Sequence, residues 1–98
     1  MLFKQQKKHY LTLQSSYELT KNWLINSGIF VSDVSDPNYG GVYSFFDEKK
    51  KEFSFLYPEI TGYFISTMRF LYEHEKNEKF IELAKASSNW IIRLYEKY

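Results

Sequence analysis

Residues 55 to 64 read Phe55-Leu56-Tyr57-Pro58-Glu59-Ile60-Thr61-Gly62-Tyr63-Phe64, and the proline sets where a helix begins. Proline lacks the N–H that a first helical position leaves unpaired, and its fixed φ already suits a helix, so Pro58 opens one. Beyond it Ile60, Phe64, Thr67/Met68 and Leu71 recur at spacings of three and four, while Tyr63, Phe70 and His74 widen the apolar face. A helix apolar on most sides expects neighbours on most sides. The entry turn also carries candidate chemistry. Glu59 lies where the helix dipole favours a carboxylate by roughly 0.3–1 kcal/mol, the simpler reading; flanked by Tyr57 and Tyr63, its functional reading is a cleft acid or an acceptor for sugar hydroxyls. Gly62 costs a helix about 1 kcal/mol relative to alanine, so close backbone approach by a packed helix or a ligand is expected there.

Downstream, Glu73 to Lys79 is a polar break with Asn77 as its N-cap. A further helix follows with Phe80, Leu83/Ala84, Ser87, Ile91 and Leu94/Tyr95 on one stripe. So short a connection makes the two helices antiparallel neighbours, an αα-hairpin. Upstream, Tyr10, Leu13, Tyr17, Thr20 and Leu24 mark an amphipathic helix from about Lys7 to Ser27, with Leu19 and Trp23 beside the stripe and Gly28 to end it. Between these helices Ser32 to Gly41 has the Asp, Ser, Pro, Asn and Gly of successive turns. Val42–Phe46 and Phe53–Tyr57 read as two short strands around the charged turn Asp47–Glu52, a hairpin that needs helices to lie against. A faint echo links Asn22-Trp23-Leu24-Ile25 with Asn89-Trp90-Ile91-Ile92, as copies of one helical hairpin would leave, and both tryptophans are expected in the helical core.

The 98 residues fit one domain at most. With no cysteine there is no disulfide, thiolate metal site or cysteine nucleophile. Thirteen basic and twelve acidic side chains leave a formal charge of +1, no footprint for nucleic acid or an anionic membrane. No run of about eighteen apolar residues and no signal-like start is present, so a cytoplasmic location is expected. Nine Phe, nine Tyr and two Trp make a fifth of the chain aromatic, so a core or a surface must be built of rings that each bury about 150–250 Å².

A helix ending in Trp23-Leu24-Ile25, a Gly40-Gly41-Val42-Tyr43 loop and Tyr57-Pro58-Glu59-Ile60-Thr61-Gly62-Tyr63 opening a helix form one part of a longer pattern. Leu71-Tyr72-Glu73-His74-Glu75-Lys76-Asn77-Glu78-Lys79-Phe80 and Ala84-Lys85-Ala86-Ser87-Ser88-Asn89-Trp90-Ile91-Ile92 complete it. Over roughly residues 15 to 95 the whole resembles the α/α-toroid (six-hairpin glycosidase-like) superfamily. The resemblance implies a mainly α fold of antiparallel hairpins in two concentric rings. A cleft at one end is lined by aromatic and acidic loop residues, and many members act on carbohydrates as hydrolases, lyases or epimerases. Residues 1–98 would be a single partial domain, with three helices where a complete ring holds many more. Missing C-terminal helices or a homo-oligomer would then complete it. The superfamily shares no single catalytic motif that can be laid on these positions.

Glycoside hydrolysis needs two carboxylates held close or with room for a water between them, and Glu59 with Asp36 is the candidate pair. Asp33 and Asp36 are more simply Asx-turn residues. Tyr39, Tyr43, Tyr57 and Tyr63, with Phe45 and Phe55, cluster outside the helical stripes, where they either stack an oligosaccharide or pack the hairpin on the helices. His74 has no second histidine at a ligand spacing and reads as a helix C-terminal cation, so no metal is expected. Lys4, Lys7, Lys8 and Lys49 to Lys51 read as solvated surface, and no phosphate loop, dinucleotide fingerprint or nucleophile elbow calls for a cofactor. Whether the chain is an enzyme stays open. The alternative is a small non-catalytic helical protein that self-associates through its aromatic faces.

Overall fold

A computed structural model describes residues 12–97, which hold three helices and a two-stranded antiparallel sheet. The helices are α1 (Leu13–Asn26), α2 (Pro58–Glu75) and α3 (Glu78–Lys97), and the strands are β1 (Phe46–Asp47) and β2 (Glu52–Phe53). Lys4, Lys7, Lys8, His9, Tyr10 and the expected helix start at Lys7 lie outside the described residues.

Pro58 takes the first position of α2 as its chemistry demands. The helix stops at Lys76, whose backbone is left-handed at φ 59°. The polar break is therefore only Lys76 and Asn77, shorter than the sequence implies, because Glu73 to Glu75 continue the helix. Asn77 caps α3 by accepting the Lys79 N–H on Oδ1 at 3.0 Å. The hairpin so formed buries Phe64, Met68 and Leu71 of α2 against Phe80 and Ala86 of α3.

The segment between α1 and α2 covers that hairpin. Ile29, Phe30 and Val42 enter the core, and the Phe30 ring stacks on Phe64 with centroids 4.9 Å apart. Three extended stretches lie side by side: Phe30 pairs with Val42, and Tyr43 with Leu56 in the register that continues into β1 and β2. The hairpin expected over Val42–Phe46 and Phe53–Tyr57 is thus present, with its regular ladder shifted to the turn end. Asp47 Oδ1 tightens that end by accepting the N–H groups of Lys49 and Lys50.

Glycine and hydroxyl chemistry fix this cover to the helices. Gly40 has φ +96°, and a Cβ on it would overlap the Ala86 carbonyl, so the loop backbone lies directly on α3. Three α3 side chains at spacings of three hold it there. Ser87 Oγ donates to Gly40 O at 2.7 Å, Trp90 Nε1 to Asn38 Oδ1 at 3.1 Å and Arg93 Nη2 to Tyr39 O at 3.1 Å. From the other helix, buried Thr61 donates to Tyr57 O at 2.8 Å and accepts the Val42 N–H at 3.0 Å. No buried side-chain polar atom among the described residues is left without a partner.

The first helix departs from expectation. Thr12 caps α1 and accepts the Ser15 N–H at 3.0 Å, yet α1 contains no buried residue. Leu13, expected on the core stripe, is 92 % exposed, and Trp23, expected in the core, is 48 % exposed. The physical reason is that α1 packs along one edge only: Tyr17, Leu24 and Ile25 are partly buried against the core, while Leu13 and Trp23 lie outside that contact, and polar tips tie the helix to the end of α2. Tyr17 Oη and Lys21 Nζ both donate to Glu75 Oε2, at 2.6 and 2.8 Å, and the Tyr17 ring rests against His74.

Candidate functional site

The extended stretch before α2 delivers Phe55 and Tyr57 to the helix entry, and the first turns of α2 deliver Glu59 and Tyr63. The spacing of four between Glu59 and Tyr63 puts them one above the other on a helix face. Tyr57 sits two residues before Glu59 in extended backbone, so its ring reaches the same carboxylate from the other side. Tyr57 Oη donates to Glu59 Oε2 and Tyr63 Oη to Glu59 Oε1, each at 3.1 Å. Both carboxylate oxygens are therefore engaged by phenols. The hydrogen bond to Glu59, and then its negative charge, raise both tyrosine pKa values above the usual phenol range, because losing the proton would face one anion with another.

The aromatic surface extends from this carboxylate. The Tyr57 ring meets Phe55 edge-on at 5.8 Å, and Phe55 meets Phe45 edge-on at 6.2 Å. Tyr57 is 38 % and Tyr63 60 % exposed, and Phe45 and Phe55 are exposed too. Water is consequently not excluded from Glu59, unlike the enclosed cleft acid expected from its flanking rings. Gly62 also differs from expectation: a Cβ added there would meet nothing within 4 Å, so no helix among the described residues packs on it and the surface beside Tyr63 is open.

The other candidates lie elsewhere. Asp36 Oδ1 accepts the Asn38 N–H at 2.7 Å within its own turn, and Asp33 does the same for Ser35 at 2.9 Å. Hydrogen bonds from the Ser35 hydroxyl and N–H hold the Asp33 carboxyl below its ordinary pKa. Asp36 and Glu59 thus belong to separate hydrogen-bond clusters. Tyr39 is half-buried with its ring edge-on to Phe30, and Tyr43 is half-buried and stacked on Phe53 at 5.3 Å, so both rings are engaged in packing. Of the four tyrosines, Tyr57 and Tyr63 join Glu59, whereas Tyr39 and Tyr43 support the loop. Among the described residues no group of three or more His, Asp or Glu is placed to hold a metal ion.

A second surface feature was not legible as a site. An apolar groove of about 370 Å³ runs between α1 and α2, lined by Leu13, Tyr17, Leu24, Phe70 and Leu71 among others. Its signal in the sequence was present but ambiguous, since a helix stripe looks the same whether or not its partner is in place.

No family model matches this chain, and no match was found among curated proteins or solved structures. Among the described residues no helix is long and apolar enough to cross a membrane.

Proposed function

We propose that this chain is a saccharide-binding helical module of α/α-toroid type, related to carbohydrate-processing enzymes and not catalytically complete by itself. The observation that carries the reading is the Tyr57–Glu59–Tyr63 cluster at the entry of α2, with exposed aromatic faces beside a carboxylate that carries both phenols. Sugar rings present C–H faces to such rings and hydroxyls to such a carboxylate. A single water-exposed carboxylate suits binding better than glycoside cleavage, which needs a second group at a defined separation.

The test is a titration of the chain with neutral oligosaccharides followed by amide and side-chain NMR. Shifts should centre on Tyr57, Glu59 and Tyr63, and Tyr63→Ala should remove them while the helical circular dichroism stays unchanged. No perturbation by any saccharide at millimolar concentration would sink the reading.

A second reading, self-association, is favoured by the unpartnered face of α1 and its groove against α2. Light scattering over a concentration series separates the two. Self-association predicts a mass that rises with concentration and falls in Phe70→Ser, with no response to sugar.

A further inference from the structure

The hydrogen-bonding polarity of the Tyr57–Glu59–Tyr63 cluster narrows the ligand. An ionised carboxylate only accepts hydrogen bonds and offers about four lone-pair sites. Two are occupied by the phenols of Tyr57 and Tyr63. Each phenol has one proton, already donated to Glu59, so outward it too offers only lone pairs. Everything polar that the cluster presents to a ligand is therefore an acceptor. Among the described residues no Lys or Arg forms an ion pair with Glu59, whereas Glu18, Glu48, Glu73 and Glu75 all have one. The negative charge, eased by the α2 N-terminus and the two phenols, thus has no cationic side chain among the described residues to pair with, and it lies beside the rings of Tyr57 and Tyr63, whose faces also attract cations.

We propose, building on the saccharide reading, that this site takes sugars bearing a free primary amine and refuses uronates. An ammonium group brings three donors and no acceptor, the complement of an all-acceptor site. A hydroxyl brings one donor, an N-acetyl group one donor and one acceptor, and a uronate carboxylate only acceptors of like charge. The sugar's C–H face lies on Tyr57 or Tyr63 while its ammonium reaches the free lone pairs of Glu59. The open surface over Gly62 leaves room for the ring. A net charge of +1 gives the chain no general attraction for a cationic oligosaccharide, so any preference must be local.

The experiment compares three oligosaccharides of equal length by calorimetry on the full chain: a β-1,4-glucosamine oligomer, its fully N-acetylated counterpart and an oligogalacturonate. The glucosamine oligomer should bind about two- to fivefold more tightly than the N-acetylated one, and the uronate should not bind. Glu59→Gln, which keeps the shape and removes the charge, should abolish the preference, and Glu82→Gln on α3 should keep it. Equal affinity for the amine and N-acetyl oligomers would overturn this proposal and leave the saccharide reading standing. Silence from all three would overturn both. Equal binding of an acetylated, amidated lysine tripeptide would overturn the sugar assignment, since the amine alone would then be recognised.

Discussion

Trp23 and Trp90 stand in tetrapeptides of the same type, Asn22-Trp23-Leu24-Ile25 and Asn89-Trp90-Ile91-Ile92, each on a helix. Trp90 is 5 % exposed, with its indole N–H on Asn38, whereas Trp23 is 48 % exposed. The helix does not decide this difference. Trp90 faces the loop of residues 36–41, which the Gly40 backbone brings onto α3; α1 touches the core through Tyr17, Leu24 and Ile25, and Trp23 lies beside that contact at an open hollow with Phe46 and Phe53. Burial of a helical residue is thus a property of what covers it, and in this chain the cover is an irregular segment with its own polar anchors.

The largest test of that comparison is truncation at the two matching positions. Trp90→Ala should cost about 3–5 kcal/mol, enough to unfold a marginal domain, while Trp23→Ala should cost about 0.5 kcal/mol or less. Thermal melts followed by circular dichroism check both, and equal losses would mean that α1 is packed as firmly as α3. A pair of glycines gives the next effect. Gly40→Ala adds a Cβ against the Ala86 carbonyl at a positive φ and should destabilise by about 2–3 kcal/mol. Gly62→Ala adds one into open space inside α2 and should stabilise by about 0.4–1 kcal/mol. A loss of stability on Gly62→Ala would mean that something does pack on that face.

The α2–α3 hairpin was legible because its signals agree: proline at the start, asparagine at the cap and apolar spacing throughout. The β-hairpin was legible for the same reason, from Phe53 and Phe55 on one side and Asp47 to Lys51 at the turn. Glu59 with Tyr57 and Tyr63 could be nominated because i and i+4 on a helix are neighbours by geometry alone. Tyr39 and Tyr43 could not be assigned, since whether a loop ring faces a ligand or Phe30 depends on contacts far apart in sequence. The anchors Ser87, Trp90 and Arg93 were missed likewise. A small polar residue amid an apolar stripe, as Ser87 is, was the available clue that a backbone approaches there. Gly62 misled because the cost of a helical glycine does not require that anything packs on it: a Cβ there would meet nothing within 4 Å.

The smallest effect concerns how α1 is held. Hydrogen bonds from Lys21 and then Tyr17 lower the Glu75 pKa, with a smaller contribution from His74. A carboxylate depressed in the folded state stabilises above its unfolded pKa, about 4.3, and that contribution is lost as pH falls through the folded value. On the alkaline side the signs reverse. Lys21 is raised by its bonds to Glu75 and Glu18, and Tyr17 by desolvation and Glu75, so their contribution is present below about pH 10 and lost above. The anchor of α1 is therefore complete from about pH 5 to pH 10, whereas the bonds from Ser87 and Trp90 on the covered side titrate nowhere in that range. Amide hydrogen exchange at pH 7 and pH 3, corrected for intrinsic rates, should show α1 losing protection at low pH while Phe64 to Leu71 keep theirs. Glu75→Gln should weaken α1 protection at pH 7 and remove most of the further loss. Protection in α1 that is the same at both pH values would mean that the groove against Phe70 and Leu71, and not the carboxylate, holds the helix.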